Sequence, residues 1–180
     1  MTLHPAVSFS AGARPGSAGA PATLDVPPAP PHGSVDLTTI PWAYGSMTPT
    51  KGLSSRPRLN HSANDTPLKL NGVRYAHGLG VNAWSVVDYY LGGRCSSFTT
   101  DVGLDASVPM SKVLVQGTAQ VSVLADGRVL FSRFMDWSMP TAHIDLPMTG
   151  VNELRLEVDA TRDWIWGDAA DWAGPRLQCQ

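Results

Sequence analysis

The chain has 180 residues, 13 Lys+Arg against 15 Asp+Glu, a formal net charge of −2 and 43% hydrophobic residues. That length fits one domain with a genuine core, and the balanced charge excludes a protein built to grip a phosphate backbone, which needs a basic excess. No apolar run approaches the ~20 residues of a membrane-spanning helix, and a barrel hydrolase needs ~250 residues, so an accessory module is expected rather than such an enzyme.

Residues 1–33 read as a linker or disordered tail. Seven of the 15 prolines fall there, and the only Asp, Glu, Lys or Arg residues are Arg14 and Asp25. Val26-Pro27-Pro28-Ala29-Pro30-Pro31 favours extended polyproline II and buries too little to offset its ordering entropy. The first residues have neither a basic n-region nor an apolar h-region, so no signal peptide is expected there. The folded unit is expected over residues 34–180.

From Ser34 onward strands dominate. Trp42 and Tyr44 follow the first predicted strand, between Pro41 and Gly45, and are assigned to a loop. Ser85 to Leu91 forms a strand closed by Gly92-Gly93, and Phe98 to Leu104 the next. Between Ala119 and Phe131, two β-rich runs flank Asp126-Gly127, the strongest short-range hairpin signal. Ala142 to Leu146 is a further strand, and Asn152 to Val158 alternates with period two, turning Leu154, Leu156 and Val158 to one buried face. No window carries sustained helical periodicity. Short strands with close turn signals read as an all-β antiparallel sandwich or barrel.

Six tryptophans in a chain with only 16% charged residues suit a loop-rich β domain that makes aromatic contacts. The two cysteines, Cys95 and Cys179, stand 84 positions apart with no zinc-site spacing. Either they form a bridge, as an oxidising compartment allows, or they stay as two unpaired thiols.

Three stretches carry a resemblance: Pro67 to Gly80 (L-K-L-N-G-V-R-Y-A-H-G-L-G from Leu68), Val102-Gly103-Leu104-Asp105, and Asp168 to Leu177 (D-A-A-D-W-A-G-P-R-L). With Ala125-Asp126-Gly127 and Gly150 to Leu156 in the same order, the chain from about residue 35 to 178 resembles the NPCBM family of carbohydrate-binding modules. The resemblance implies an antiparallel jelly-roll β-sandwich of the galactose-binding type, secreted, and working beside a glycoside hydrolase domain or partner. It further implies galactose-containing glycans as ligands and a structural calcium ion. The chain departs from the family pattern twice: Asn82 and Ala169 stand where histidines are expected.

A sugar offers C–H faces and hydroxyl edges, so its site needs an exposed ring and polar groups on a rigid scaffold. Trp42, Tyr44, Asn82, Trp84, Trp164 and Trp166 are the candidates; each tryptophan has core packing as its alternative. Asp105, Asp168 and Asp171, with Asp163, are the hard-oxygen donors for calcium, and turn chemistry is the alternative for Asp168. There is no G-x-S-x-G elbow, no Glu near the closing motif, and His61, His77 and His143 are dispersed, so no catalysis is expected. The sequence reading is a non-catalytic carbohydrate-binding module without affinity for nucleic acid. The rival is a structural or protein-interaction sandwich that has lost its sugar site.

Overall fold

The computed structural model describes residues 26–49, 54–107, 117–161 and 167–180. In chain order the strands are β1 (Gly33–Asp36), β2 (Tyr44–Met47), β3 (Arg58–Leu59), β4 (Lys69–Leu70), β5 (Val73–Arg74), β6 (Gly78–Asn82) and β7 (Ser85–Tyr90). They continue as β8 (Cys95–Leu104), β9 (Thr118–Ala125), β10 (Arg128–Asp136), β11 (Ala142–Pro147), β12 (Glu153–Ala160) and β13 (Ala169–Cys179). One 3-10 turn, Leu37–Thr39, follows β1, its first amides met by the Asp36 carboxylate 2.9 Å from Thr38 N.

Two antiparallel sheets face each other. One runs β11-β8-β13-β6-β3, with β1 also on β13; the other runs β10-β9-β12-β7-β2; β4 and β5 form a small separate ribbon. Burial alternates along β9 and β12: Val121, Val123, Leu154, Leu156 and Val158 point inward, their neighbours outward. Across the core they meet Val81, Phe98, Val102 and Trp172 of the opposite sheet, in one contiguous cluster.

The Asp126-Gly127 turn forms as its residues demand, with φ of 46° and 76°, the left-handed values of a two-residue hairpin turn. Its second arm runs to Asp136, five residues beyond the sequence expectation, with a register shift between Val129 and Phe131. Gly80 marks where the backbone of His61 and Ser62 crosses β6: a Cβ at this position would collide with it. The expected tail lies outside the described residues up to Asp25. From there to β1 no strand forms, although Pro30 is already buried.

Cys95 and Cys179 are directly opposed on β8 and β13 and are disulfide-bonded. The bridge closes 84 residues of chain, which corresponds to about 4–5 kcal/mol in the chain-entropy model. Replacing both cysteines by alanine should lower the unfolding free energy by roughly 2–4 kcal/mol while leaving the native circular dichroism unchanged. Urea titration checks this; an unchanged midpoint would show that the strands alone hold the terminus.

Candidate functional site

Asn82, Trp84 and Thr48 meet where β6, β7 and β2 end together. The indole of Trp84 is half-exposed, at 51%, and its backbone is pinned on both sides. Thr48 Oγ1 accepts from Trp84 N at 3.0 Å, and Trp84 O accepts from Thr48 N at 3.0 Å. The Ala83–Trp84 peptide is cis. Beneath it Asn82 is buried, and its side-chain amide donates to Thr48 O at 3.3 Å, joining the two sheets. Asn82 therefore braces the rim from inside rather than standing out from it.

The other aromatics part company. Trp42 is partly buried against the core, its ring lying 3.0–3.2 Å from where a Gly45 Cβ would sit. It works as a core residue that Gly45 makes room for. Tyr44 is exposed on the outer face, at the end of β2 away from Thr48 and opposite Asp88. There Asp88 receives Arg155 through two bonds of 2.7 and 3.0 Å, with Glu153 and Glu157 each 3.5 Å from the guanidinium. Partial burial raises the pKa of Glu157 and of Glu153. Trp164 and Trp166 lie outside the described residues.

The three metal candidates do not form a ligand set. Asp168 is buried, and Oδ1 of its side chain accepts from Thr118 N at 2.9 Å. Asp105 is turned onto Ser107, accepting from its amide at 2.8 Å and its hydroxyl at 2.6 Å. Asp171 accepts from Lys69 N at 3.1 Å, and its Oδ1 has no hydrogen-bond partner among the described residues. Burial, with the Asp105 charge nearby, raises the pKa of Asp171 well above its ordinary value. Among the described residues no three His, Cys, Asp or Glu side chains gather to hold a metal. Each of the three carboxylates accepts a backbone amide, from Ser107, Thr118 and Lys69 respectively for Asp105, Asp168 and Asp171.

Sequence reasoning missed Phe134 and Trp137, which are 42% and 51% exposed. Trp137 rides on a turn in which Asp136 Oδ1 accepts from Ser138 N at 2.8 Å and from Met139 N at 3.1 Å. The Asp-x-Ser spacing is an Asx-turn signal that could have marked it.

A two-sheet antiparallel sandwich with this closing strand matches the NPCBM/NEW2 domain model over residues 33–178. The chain belongs to the NPCBM/NEW2 family. Among solved structures, the NPCBM domain is similar to a carbohydrate-binding module, CBM51, from Clostridium perfringens GH95 in complex with methyl-galactose. That likeness has a TM-score of 0.69 and 24% identity over 80% of this chain and 99% of that one. A CBM51 module of Clostridium perfringens ZmpB in complex with GlcNAc has a TM-score of 0.71, 22% identity, and covers 81% of this chain and 31% of that one. These likenesses show the sandwich fold. A Renibacterium salmoninarum protein named "Putative endo-alpha-N-acetylgalactosaminidase" is 36% identical over 117 residues, 63% of this chain and 7% of that protein. The NPCBM chain thus spans a small part of that relative's length. Among its described residues no helix is long and apolar enough to cross a membrane.

Asp171 makes stability depend on pH with a definite sign. The native state keeps a proton that the unfolded chain releases in the ordinary carboxylate range, so stability falls as pH rises from there toward the raised native value. Asp171→Asn should remove that slope. The variant should melt close to wild type in acid and higher than wild type at neutral pH. Thermal melts from pH 4 to 8 check it, and parallel curves would refute it.

Proposed function

We propose that this NPCBM domain is a non-catalytic module that captures a galactose-type or related hexose, accessory to a secreted glycoside hydrolase. Trp84 carries the reading. Half an indole is held in water on a backbone clamped by Thr48 and braced by the buried Asn82. A ring fixed this way can accept the C–H face of a sugar with little ordering cost. The methyl-galactose and GlcNAc complexes of the similar CBM51 structures support a sugar ligand. The glycosidase name of the Renibacterium relative supports the accessory role. Asp105, Asp168 and Asp171 bond the amides of Ser107, Thr118 and Lys69, and the reading does not depend on whether they also hold calcium.

Affinity for one sugar should be weak, in the range of ~0.1–1 mM, because hydroxyls exchange water bonds for protein bonds with little net gain. Calorimetric titration with methyl galactoside and N-acetylhexosamines tests it. Trp84→Ala should weaken binding at least about tenfold without lowering the melting temperature, since the lost ring is exposed. Binding unchanged by Trp84→Ala would remove Trp84 from the site, and silence toward all hexoses would favour the interaction-sandwich reading.

A further inference from the structure

The register of the five-stranded sheet sorts its outward side chains into rows. Phe134 pairs with Gln120, and Gln120 with Asp159. Val158 pairs with Ser85, so continuing that register by one residue sets Asp159 level with Trp84. The row at the rim is therefore Trp84, Asp159, Gln120, Phe134. Directly below it, Val86, Glu157, Ser122 and Ser132 form the next row. Both rows alternate with core residues, which puts them on the solvent side of the sheet.

The two exposed rings stand three strand spacings apart, about 14 Å at ~4.8 Å per step. Between them the surface is polar and already ordered: Gln120 Nε2 donates to Ser132 Oγ at 2.8 Å, and the hydroxyls of Ser122 and Ser132 bond at 2.8 Å. One sugar cannot touch both rings. A chain of sugars laid across the strands can, with the amide, hydroxyls and carboxylates between the rings meeting its hydroxyls.

Charge narrows the ligand further. Asp88, Glu153, Glu157 and Asp159 occupy outward positions on β7 and β12 against the single guanidinium of Arg155, which the first three already engage. An anionic glycan would meet a surplus of carboxylates over the one guanidinium.

We infer that the outer face of the five-stranded sheet is an extended platform for a neutral oligosaccharide chain, stacked on Trp84 and Phe134 and hydrogen-bonded between them by Gln120, Asp159, Ser122 and Ser132. This rests on the carbohydrate reading above and deepens it, from a terminal hexose at the rim to a chain crossing the face. Two anchors of modest strength on one ligand act as a bivalent pair, so the second ring multiplies affinity without a deep pocket.

The test pairs methyl galactoside with a neutral galactose- and N-acetylglucosamine-bearing tetrasaccharide and its sialylated counterpart. Titrations use wild type, Phe134→Ala, Gln120→Ala and Trp84→Ala, with circular dichroism to confirm folding. Wild type should bind the neutral tetrasaccharide about tenfold more tightly than methyl galactoside, and the sialylated form about tenfold more weakly than the neutral one. Phe134→Ala should cost the tetrasaccharide about fivefold to tenfold and leave methyl galactoside within twofold. The Gln120 side-chain amide should shift in NMR spectra with the tetrasaccharide alone. If Phe134→Ala and Gln120→Ala bind the tetrasaccharide as wild type does, the platform is overturned while a loss in Trp84→Ala keeps the rim site standing. If no sugar binds wild type, both readings fall.

Discussion

The structure depends on the closing strand β13 being bonded on both edges. Along its length it meets β8 on one side, and β6 and then β1 on the other. The chain's latest strand is thus the centre of its sheet, and its earliest strand is held only when the last arrives. Trp172, wholly buried on β13, fills the space between the sheets, and the cystine locks the far end of the same strand to β8. Placing the seam this late makes the fold rich in non-local pairing, the pattern associated with slow folding.

The same strand begins at the rim. Ala169 pairs with Asn82, and Ala83 N reaches the Asp168 carbonyl at 3.3 Å, so the base of the Trp84 shelf is set by β13 as well as by Thr48. Buried polar groups recur at this end: Asn82, Asp168 and Asp171 all lie inside. Asn82 bonds the backbone of Thr48, Asp168 that of Thr118 and Asp171 that of Lys69. The exposed aromatics are therefore carried on a base stiffened from below, which is what weak recognition of a flexible polar ligand requires.

Strands whose burial alternates were legible in the sequence. β12 and the Asp126-Gly127 hairpin follow directly from period-two patterning and turn chemistry, and the fold class follows from them. The two-residue strands β3, β4 and β5 carry too few positions for any period to show. Trp42 and Trp84 look alike in sequence, each beside a strand end. What separates them is tertiary: Gly45 leaves room for the Trp42 ring against the core, whereas half of Trp84 stays exposed. Asp105, Asp168 and Asp171 likewise have the right chemistry for a cation, but Asp168 and Asp171 accept from amides distant in sequence, those of Thr118 and Lys69, and Asp105 from Ser107 two residues on. Phe134 was hidden because the second hairpin arm outruns the apolar run that announced it, the bulge after Val129 having reset which residues face water.

The pairing of Gly33 with Cys179 places the entry of the fold and its exit side by side. Ala169, at the other end of the same strand, is the partner of Asn82 below the Trp84 rim. Ten residue steps of extended chain separate the two, about 30 Å. The domain therefore has a root and a crown. A swivel at the root would sweep the crown through a wide arc without bending the sandwich.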